Sequence, residues 1–149
     1  MDKYKIIIIC FCFFLAGNIS AAEHQVKMLS SLKGQMMVFD PPVLTIQPGD
    51  TVRWLATNPG HNTASIDDMV PTGGPTWNGQ MNEEVVVIFN KEGVYGYKCP
   101  PHYILGMVGL IVVGDKSSNM DKSFKRAEEI QEKFATNKSR FTDYFSQIK

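Results

Sequence analysis

The sequence predicts an all-β sandwich that is followed by two α-helices. Two observations support this prediction. From Val26 to Val113, short apolar or alternating runs are separated by turn residues, and after Gly114 the apolar residues recur at helical spacing. The chain has 149 residues, of which 44% are hydrophobic and 20% are charged. It can therefore form one globular domain with a substantial core.

The first 22 residues have the pattern of a secretory signal peptide. A weakly positive start precedes an unbroken apolar run from Ile6 to Leu15, and Ser20–Ala22 supplies small residues for cleavage. The run is too short to span a bilayer, and Asn18 stands where a lipidated cysteine would be. We therefore expect cleavage after Ala22, export without a membrane anchor, and a single domain formed by residues 23–149.

Loss of the signal peptide changes both the charge and the cysteine content of the chain. The mature chain would have a formal charge of −1, which gives no electrostatic reason to expect nucleic acid binding. Cys10 and Cys12 leave with the signal peptide, so Cys99 is the only remaining thiol. A lone cysteine in an exported protein is either a small buried hydrophobe or a reactive or metal-bound thiol.

Seven short segments that lie between turn residues are predicted to be strands. They are Val26–Leu32, Gln35–Phe39, Val43–Ile46, Thr51–Ala56, Glu84–Phe89, Val94–Lys98 and Val108–Val113. Gln47–Asp50 and Asn90–Gly93 are predicted turns, since proline presets φ and glycine accepts a positive φ. Strands at this spacing predict an antiparallel sandwich.

Residues 57–83 are predicted to form a long loop, because they are rich in Gly, Pro, Asn and Asp. One helical turn is expected near Ser65–Met69. A loop of this length in a compact domain is often functional.

The tail at about 119–148 is predicted to form two helices that are separated by Asn137–Ser139, which offers capping residues. Apolar residues at helical spacing mark one face of each helix. They are Met120, Phe124, Ala127, Ile130 and Phe134 in the first helix, and Phe141, Tyr144, Phe145 and Ile148 in the second. We interpret this stripe as a face that packs on the core.

The nine residues from Cys99 to Met107 predict a copper site. They contain a thiolate, the imidazole of His102 and a thioether between two predicted strands. These ligands suit a copper ion that changes oxidation state, and a blue-copper site needs one further imidazole. His61 can supply it, because His24 is expected to be disordered at the mature N-terminus.

Two other chemistries compete for the same residues. A structural zinc site needs four strong ligands, and a catalytic one needs a general base, for which Glu83 and Glu84 are candidates by elimination. A Cys–His pair is also typical of cysteine proteases, but Cys99 is not at a predicted helix N-terminus and no oxyanion hole is evident nearby. A copper enzyme would need further histidines or a second domain, so we expect no enzyme.

Together these motifs resemble the pseudoazurins, which are blue-copper proteins with the Greek-key cupredoxin fold. The resemblance rests on Gly60–Asn62, on Cys99-x-Pro101-His102-x₄-Met107, on Pro48–Val52 and on the two C-terminal helices. It spans about Gln25 to Ile148. It implies a periplasmic protein whose single type 1 copper is held by His61, Cys99, His102 and Met107.

The resemblance also assigns roles to three neighbouring residues. Asn62 matches a residue whose backbone N–H binds the cysteine sulfur and whose side chain ties the two ligand loops together. Met37 matches a methionine beside the exposed histidine ligand. Pro101 matches a family proline, and since proline has no N–H it cannot donate a second hydrogen bond to the Cys99 sulfur. Fewer donors should favour Cu(I) and raise the reduction potential.

The resemblance implies a soluble carrier of single electrons that donates to a nitrite reductase or similar acceptor and receives electrons from a cytochrome c or other respiratory protein. His102 is the expected exit for electrons. Docking is expected through an apolar patch formed by Pro59, Pro100, Pro101, Ile104 and Leu105. A copper carrier or sensor without a redox role is the alternative.

Two departures from the family pattern bear on this function. Pro100 stands where the family usually has threonine, and a Pro-Pro pair should stiffen the loop. The family also surrounds the exposed histidine with lysines that dock an acidic partner. Neutral residues stand at the corresponding positions, which are Ser31, Pro59, Asn78 and Gln80. The usual electrostatic docking is therefore not expected here.

Overall fold

The computed structural model describes residues 21–148, so most of the predicted signal peptide lies outside the described residues. The strands are β1 (Glu23–Leu32), β2 (Gln35–Asp40), β3 (Val43–Ile46), β4 (Thr51–Leu55), β5 (Ala64–Ser65), β6 (Val85–Ile88), β7 (Gly93–Lys98) and β8 (Val108–Val113). The helices are α1 (Met120–Gln131) and α2 (Arg140–Phe145), and two 3₁₀ segments span Asp67–Met69 and Pro100–Leu105. All seven predicted strands and both helices are confirmed, and the short β5 was not predicted.

The strands form two four-stranded sheets, with the orders β2-β1-β4-β6 and β3-β8-β7-β5. The pairs β1/β4 and β3/β8 are parallel, and the other pairs are antiparallel. The prediction of an antiparallel sandwich is therefore wrong at two pairs. The physical reason is that the chain passes from one sheet to the other at every connection from β2 to β7. Turn signals report local connections and not such long-range pairing.

The core between the two sheets is aromatic. Trp54 is fully buried, and its ring centroid lies 5.3 Å from that of Tyr97 and 5.0 Å from that of Trp77. Cys99 and Met107 are fully buried in the same cluster. These two predicted metal ligands therefore belong to the main core and not to its surface.

The helical tail covers the outer face of the second sheet. All six residues of β8 are buried, because Ile111 and Val113 face the core between the sheets while Val108 and Leu110 pack against the helices. This confirms that the helical stripe packs on the core. The hydroxyl of Ser139 binds its neighbour Asp143 and caps no backbone N–H. Within residues 21–148, neither helix has the length and hydropathy of a membrane-spanning segment.

His24 lies in β1, where it pairs with Val52, and not in a disordered N-terminus as expected. Its Nε2 atom lies 2.8 Å from Oδ2 of Asp50. The other carboxylate oxygen of Asp50 accepts a hydrogen bond from the N–H of Ala22 at 2.8 Å, and Oδ2 also accepts one from Gln47 at 3.0 Å. Asp50 thus fastens the first strand to the turn before β4.

Asp50 should make the stability of the protein sensitive to acid. Its bonds to the N–H of Ala22, to His24 and to the N–H of Gln47, in that order of size, lower its pKa from 3.8 to about 2. Because the folded-state pKa lies below the ordinary value, this stabilisation is present above about pH 4 and is lost as the pH falls toward 2. We expect the free energy of unfolding, measured by urea denaturation on protein that retains Ala22, to fall more steeply across this window in wild type than in Asp50→Asn.

Asp121→Asn, at an exposed helical position, controls for the loss of one carboxylate. Equal slopes for wild type and Asp50→Asn between pH 4 and pH 2 would contradict the assignment.

Candidate metal centre

Two separate parts of the chain bring donor side chains to one end of the sandwich. His61 follows Gly60, whose φ of +89° turns the chain after β4. Residues 99–107, the ligand segment, connect β7 to β8. Pro100 and Pro101 begin its 3₁₀ turns, where a missing N–H is tolerated. Gly106 ends them in the left-handed conformation, with φ +79° and ψ +27°.

The structure brings three predicted ligands together. The Sγ atom of Cys99 lies 3.8 Å from Nδ1 of His61 and 3.5 Å from Nδ1 of His102. The two Nδ1 atoms are 3.1 Å apart. Among the residues that the structure describes, these three form the group of His, Cys, Asp or Glu side chains that lie close enough together to hold a metal ion. One ion can contact all three atoms.

Backbone hydrogen bonds couple the residues of the ligand segment to one another. The N–H of Cys99 donates to the carbonyl of Met107 at 2.9 Å, and the N–H of Met107 donates to the carbonyl of His102 at 3.2 Å. The N–H of His102 donates back to the carbonyl of Cys99 at 3.1 Å. The backbones of these three residues are therefore linked to one another.

The centre is dry except at one side chain. His61 is 1% exposed, and Cys99 and Met107 are fully buried, whereas His102 is half-buried. Burial raises the pKa of the Cys99 thiol, and the backbone N–H groups of Asn62 and His102 oppose this shift. Burial, and then repulsion by His102, lowers the pKa of His61. A thiolate in this place needs a cation to compensate its charge.

The three residues that the resemblance singled out differ in their surroundings. The side-chain amide of Asn62 donates to Gly79 at 3.1 Å within its own loop, and its Oδ1 atom lies 3.8 Å from Sγ of Cys99. The side chain therefore contacts the ligand segment at Cys99 as well as Gly79 in its own loop. Met37 is half-buried and packs against the cluster that contains Cys99. Pro101 is exposed.

The backbone N–H groups of Asn62 and His102 favour the thiolate of Cys99. Pro101 has no N–H, so it adds no donor to the sulfur at its own position.

Ser30 was not predicted, and it orients the more buried histidine. Its hydroxyl lies 3.0 Å from Nε2 of His61, which leaves Nδ1 facing Cys99. The alternation of β1 contained a signal for this role. Val26 and Met28 point into the core, so Ser30, two residues further, is a polar side chain on the inward face.

The donor set fits copper better than the two competing chemistries. Among residues 21–148, no fourth His, Cys, Asp or Glu joins the group, as structural zinc would require. The carboxylate of Glu84 instead contacts Arg53 at 3.3 Å, and Glu83 is exposed. A protease would need N–H donors beside its nucleophile, and both residues after Cys99 are prolines, which have none.

Ser30→Ala should weaken copper binding by about 10- to 100-fold, because it removes the partner that orients the ring of His61. Competition of copper with a chelator of known affinity measures this effect. Ser31→Ala, at the adjacent exposed position, is the matched control and should bind copper like wild type. Equal affinities for the two variants would contradict the role of Ser30.

Comparison with known proteins agrees with this geometry. Residues 26–114 match the family model for copper binding proteins of the plastocyanin/azurin family. A pseudoazurin from Methylorubrum extorquens is 46% identical over 129 residues, covering 87% of this chain and 84% of that protein. A pseudoazurin from Paracoccus pantotrophus is 36% identical over 121 residues, covering 80% of this chain and 83% of that protein.

Solved structures give the same result. The crystal structure of pseudoazurin from Methylobacterium extorquens AM1 matches with a TM-score of 0.74 at 42% identity, covering 85% of this chain and 99% of that one. The crystal structure of native pseudoazurin from Hyphomicrobium denitrificans matches with a TM-score of 0.75 at 35% identity, covering 85% and 98%. The expected cupredoxin fold and copper cofactor are thereby confirmed, and the chain belongs to the pseudoazurin family of copper-binding proteins.

Proposed function

We propose that this protein is a blue-copper carrier of single electrons, with His61, Cys99, His102 and Met107 as the metal ligands. The observation that supports this most strongly is the meeting of one thiol and two imidazole Nδ1 atoms within 3.8 Å. When bound, the copper supplies a one-electron couple between Cu(II) and Cu(I). A His₂Cys set with a weak methionine ligand is the arrangement used for electron transfer.

The protein residues hold the donors in place and exclude water from them. A dry site with packed walls changes little when its charge changes, because packed interiors deform reluctantly. His102 is the partly exposed member of the set, so it is the route by which we expect electrons to leave. Membership of the pseudoazurin family supports a carrier rather than an enzyme.

The surface at the ligand segment suits brief docking. Pro59, Pro100, Pro101 and Ile104 are exposed, and Leu105 is half-buried. Ile104 is 55% exposed. Apolar surface of this kind marks interaction sites, and a small contact gives the weak binding typical of redox encounters.

We further propose that the carrier works in the periplasm and passes electrons to a nitrite reductase or similar acceptor, with a cytochrome c or other respiratory protein as donor. The signal-like residues 1–22 and the family support this placement. The four neutral residues at the expected lysine positions are Ser31, Pro59, Asn78 and Gln80, and all are exposed. The ammonium of Lys98 lies 4.7 Å from the ring centre of Tyr103, so it is already engaged in a cation–π contact.

Cys99→Ser should abolish the intense visible absorption of the copper(II) protein, because a hydroxyl does not replace the soft thiolate ligand. Visible spectra of copper-loaded protein, followed through a redox titration, measure this. Met69→Leu, which alters a buried methionine outside the ligand segment, should keep both the colour and a reversible couple. Colour that persists in Cys99→Ser would refute the ligand set. A wild-type protein that cannot be cycled would favour a copper carrier or sensor.

Oxidation of the reduced protein by an acidic partner should depend weakly on salt. We expect the stopped-flow rate to change by less than about threefold over the range where charge-steered association changes tenfold or more. Gln80→Lys should restore a steeper dependence and a faster rate at low salt. Asn90→Lys, in the connection before β7 and so at the end of that strand opposite Cys99, is the matched control. A steep dependence in wild type would contradict docking through neutral surface.

A further inference from the structure

Three consecutive carbonyl groups of the ligand segment bond to the helical tail. Their donors belong to the interhelix connection, residues 132–139, and to the first residue of α2. The bonds run from the N–H of Ala135 to Ile104 (2.7 Å), from Oγ1 of Thr136 and Nδ2 of Asn137 to Leu105 (3.1 and 2.9 Å), and from Nη1 of Arg140 to Gly106 (2.9 Å).

Arg140 is the unusual member of this set. It is 5% exposed, and its guanidinium also donates to the carbonyls of Met37 at 2.7 Å and Met36 at 3.1 Å. Its hydrogen bonds within residues 21–148 go to backbone oxygens and to no carboxylate. A buried guanidinium is costly unless its donors are used. Here the guanidinium group joins β2 to Gly106, the residue that precedes Met107.

The bond to Gly106 acts on Met107 through the peptide group that the two residues share. A peptide unit is planar, so holding the carbonyl oxygen of Gly106 also holds the N–H of Met107. That N–H donates to the carbonyl of His102 at 3.2 Å. One guanidinium therefore restrains the backbone of two of the proposed ligands, the thioether and the partly exposed imidazole.

The interhelix connection is shaped to reach the ligand segment. Asn137 has a φ of +56°, a left-handed conformation that is uncommon for residues other than glycine. In this conformation its amide meets the carbonyl of Leu105. A Cβ atom at Gly106 would lie 3.2 Å from Asn137 and from the ring of Phe134. The two segments are thus in close contact as well as hydrogen bonded.

We propose that Arg140 and Asn137 are positioning residues for the copper site, which hold the ligand segment so that Met107 keeps one fixed place relative to Cys99 and His102. This inference rests on the proposed function. The axial ligand of a blue-copper site tunes the reduction potential. The helical tail therefore sets the electronic properties of the centre, in addition to covering the second sheet.

The test compares Arg140→Met, which keeps an unbranched side chain and removes the guanidinium donors, with Phe145→Leu. Phe145 is buried on the same helix and contacts the rings of Phe124 and Phe141. It makes no hydrogen bond to the ligand segment, so it controls for a loosened tail. In metal-free protein, hydrogen exchange at the amides of Gly106 and Met107 should accelerate by about tenfold or more in Arg140→Met. Phe145→Leu should leave it at the wild-type rate.

In copper-loaded protein, Arg140→Met should shift the reduction potential and change the intensity ratio of the visible bands. Phe145→Leu should lower Tm but keep both at their wild-type values, and Arg140→Lys should restore them in part. A wild-type potential and band ratio in Arg140→Met would overturn the proposal. So would equal shifts in Arg140→Met and Phe145→Leu, because the effect would then come from general loosening.

Asn137→Gly provides a second test of the positioning role if Arg140→Met fails to fold. Glycine adopts a positive φ freely, so this change removes the amide that binds Leu105 without straining the backbone. A smaller shift in the same spectroscopic ratio supports the proposal, and wild-type spectra together with wild-type exchange at Gly106 overturn it. If wild-type protein is not blue with copper, the proposed function fails, while the metal-free exchange experiment still reports on the positioning role.

Discussion

The rest of the structure depends on one constraint. The thiol sulfur and two imidazole Nδ1 atoms are held within 3.8 Å of one another in a dry core. Burial raises the pKa of the Cys99 thiol and lowers that of His61, so both groups favour their neutral forms without a cation. A bound metal ion removes this penalty for the thiolate. The fold positions the donor atoms and excludes water from them, and the copper ion compensates the charge of the thiolate.

This arrangement is supported from two sides. On the first sheet, Ser30 orients His61, and Asn62 fastens the adjoining loop to Gly79. On the second sheet, the helical tail bonds to the carbonyls that precede Met107 and reaches across to β2 through Arg140. The ligand segment itself needs little regular structure, because its neighbours satisfy its backbone groups. Its exposed apolar residues remain available for contact with other proteins.

Much of this structure could be predicted from the sequence, because local signals are strong in short strands and turns. The seven strands and the spacing of Cys99, His102 and Met107 are such signals. Parallel pairing of β1 with β4 could not be predicted, since it depends on crossings between sheets. His24 was expected to be disordered because it stands near a terminus, but Asp50 binds it. Signal cleavage concerns residues that lie mostly outside the described part of the chain.

The role of the tail shows a different limit of sequence reasoning. Its apolar stripe predicted packing on the core, which is what the structure has. The arginine that joins the tail to the ligand segment carries no such signal, because charged residues at a helix end are usually solvated. Arg140 becomes recognisable when the backbone carbonyls around it are known. The same holds for Ser30, whose meaning depends on the ring that it faces.

X-ray absorption at the copper edge, recorded on loaded protein in both oxidation states, identifies the atoms around the metal in each state. We expect one short sulfur neighbour and two nitrogen neighbours in Cu(II) and in Cu(I), with small changes in distance between the two states. Such invariance is what a preorganised electron carrier requires. A first shell without sulfur, or a ligand that is lost or gained on reduction, would contradict it.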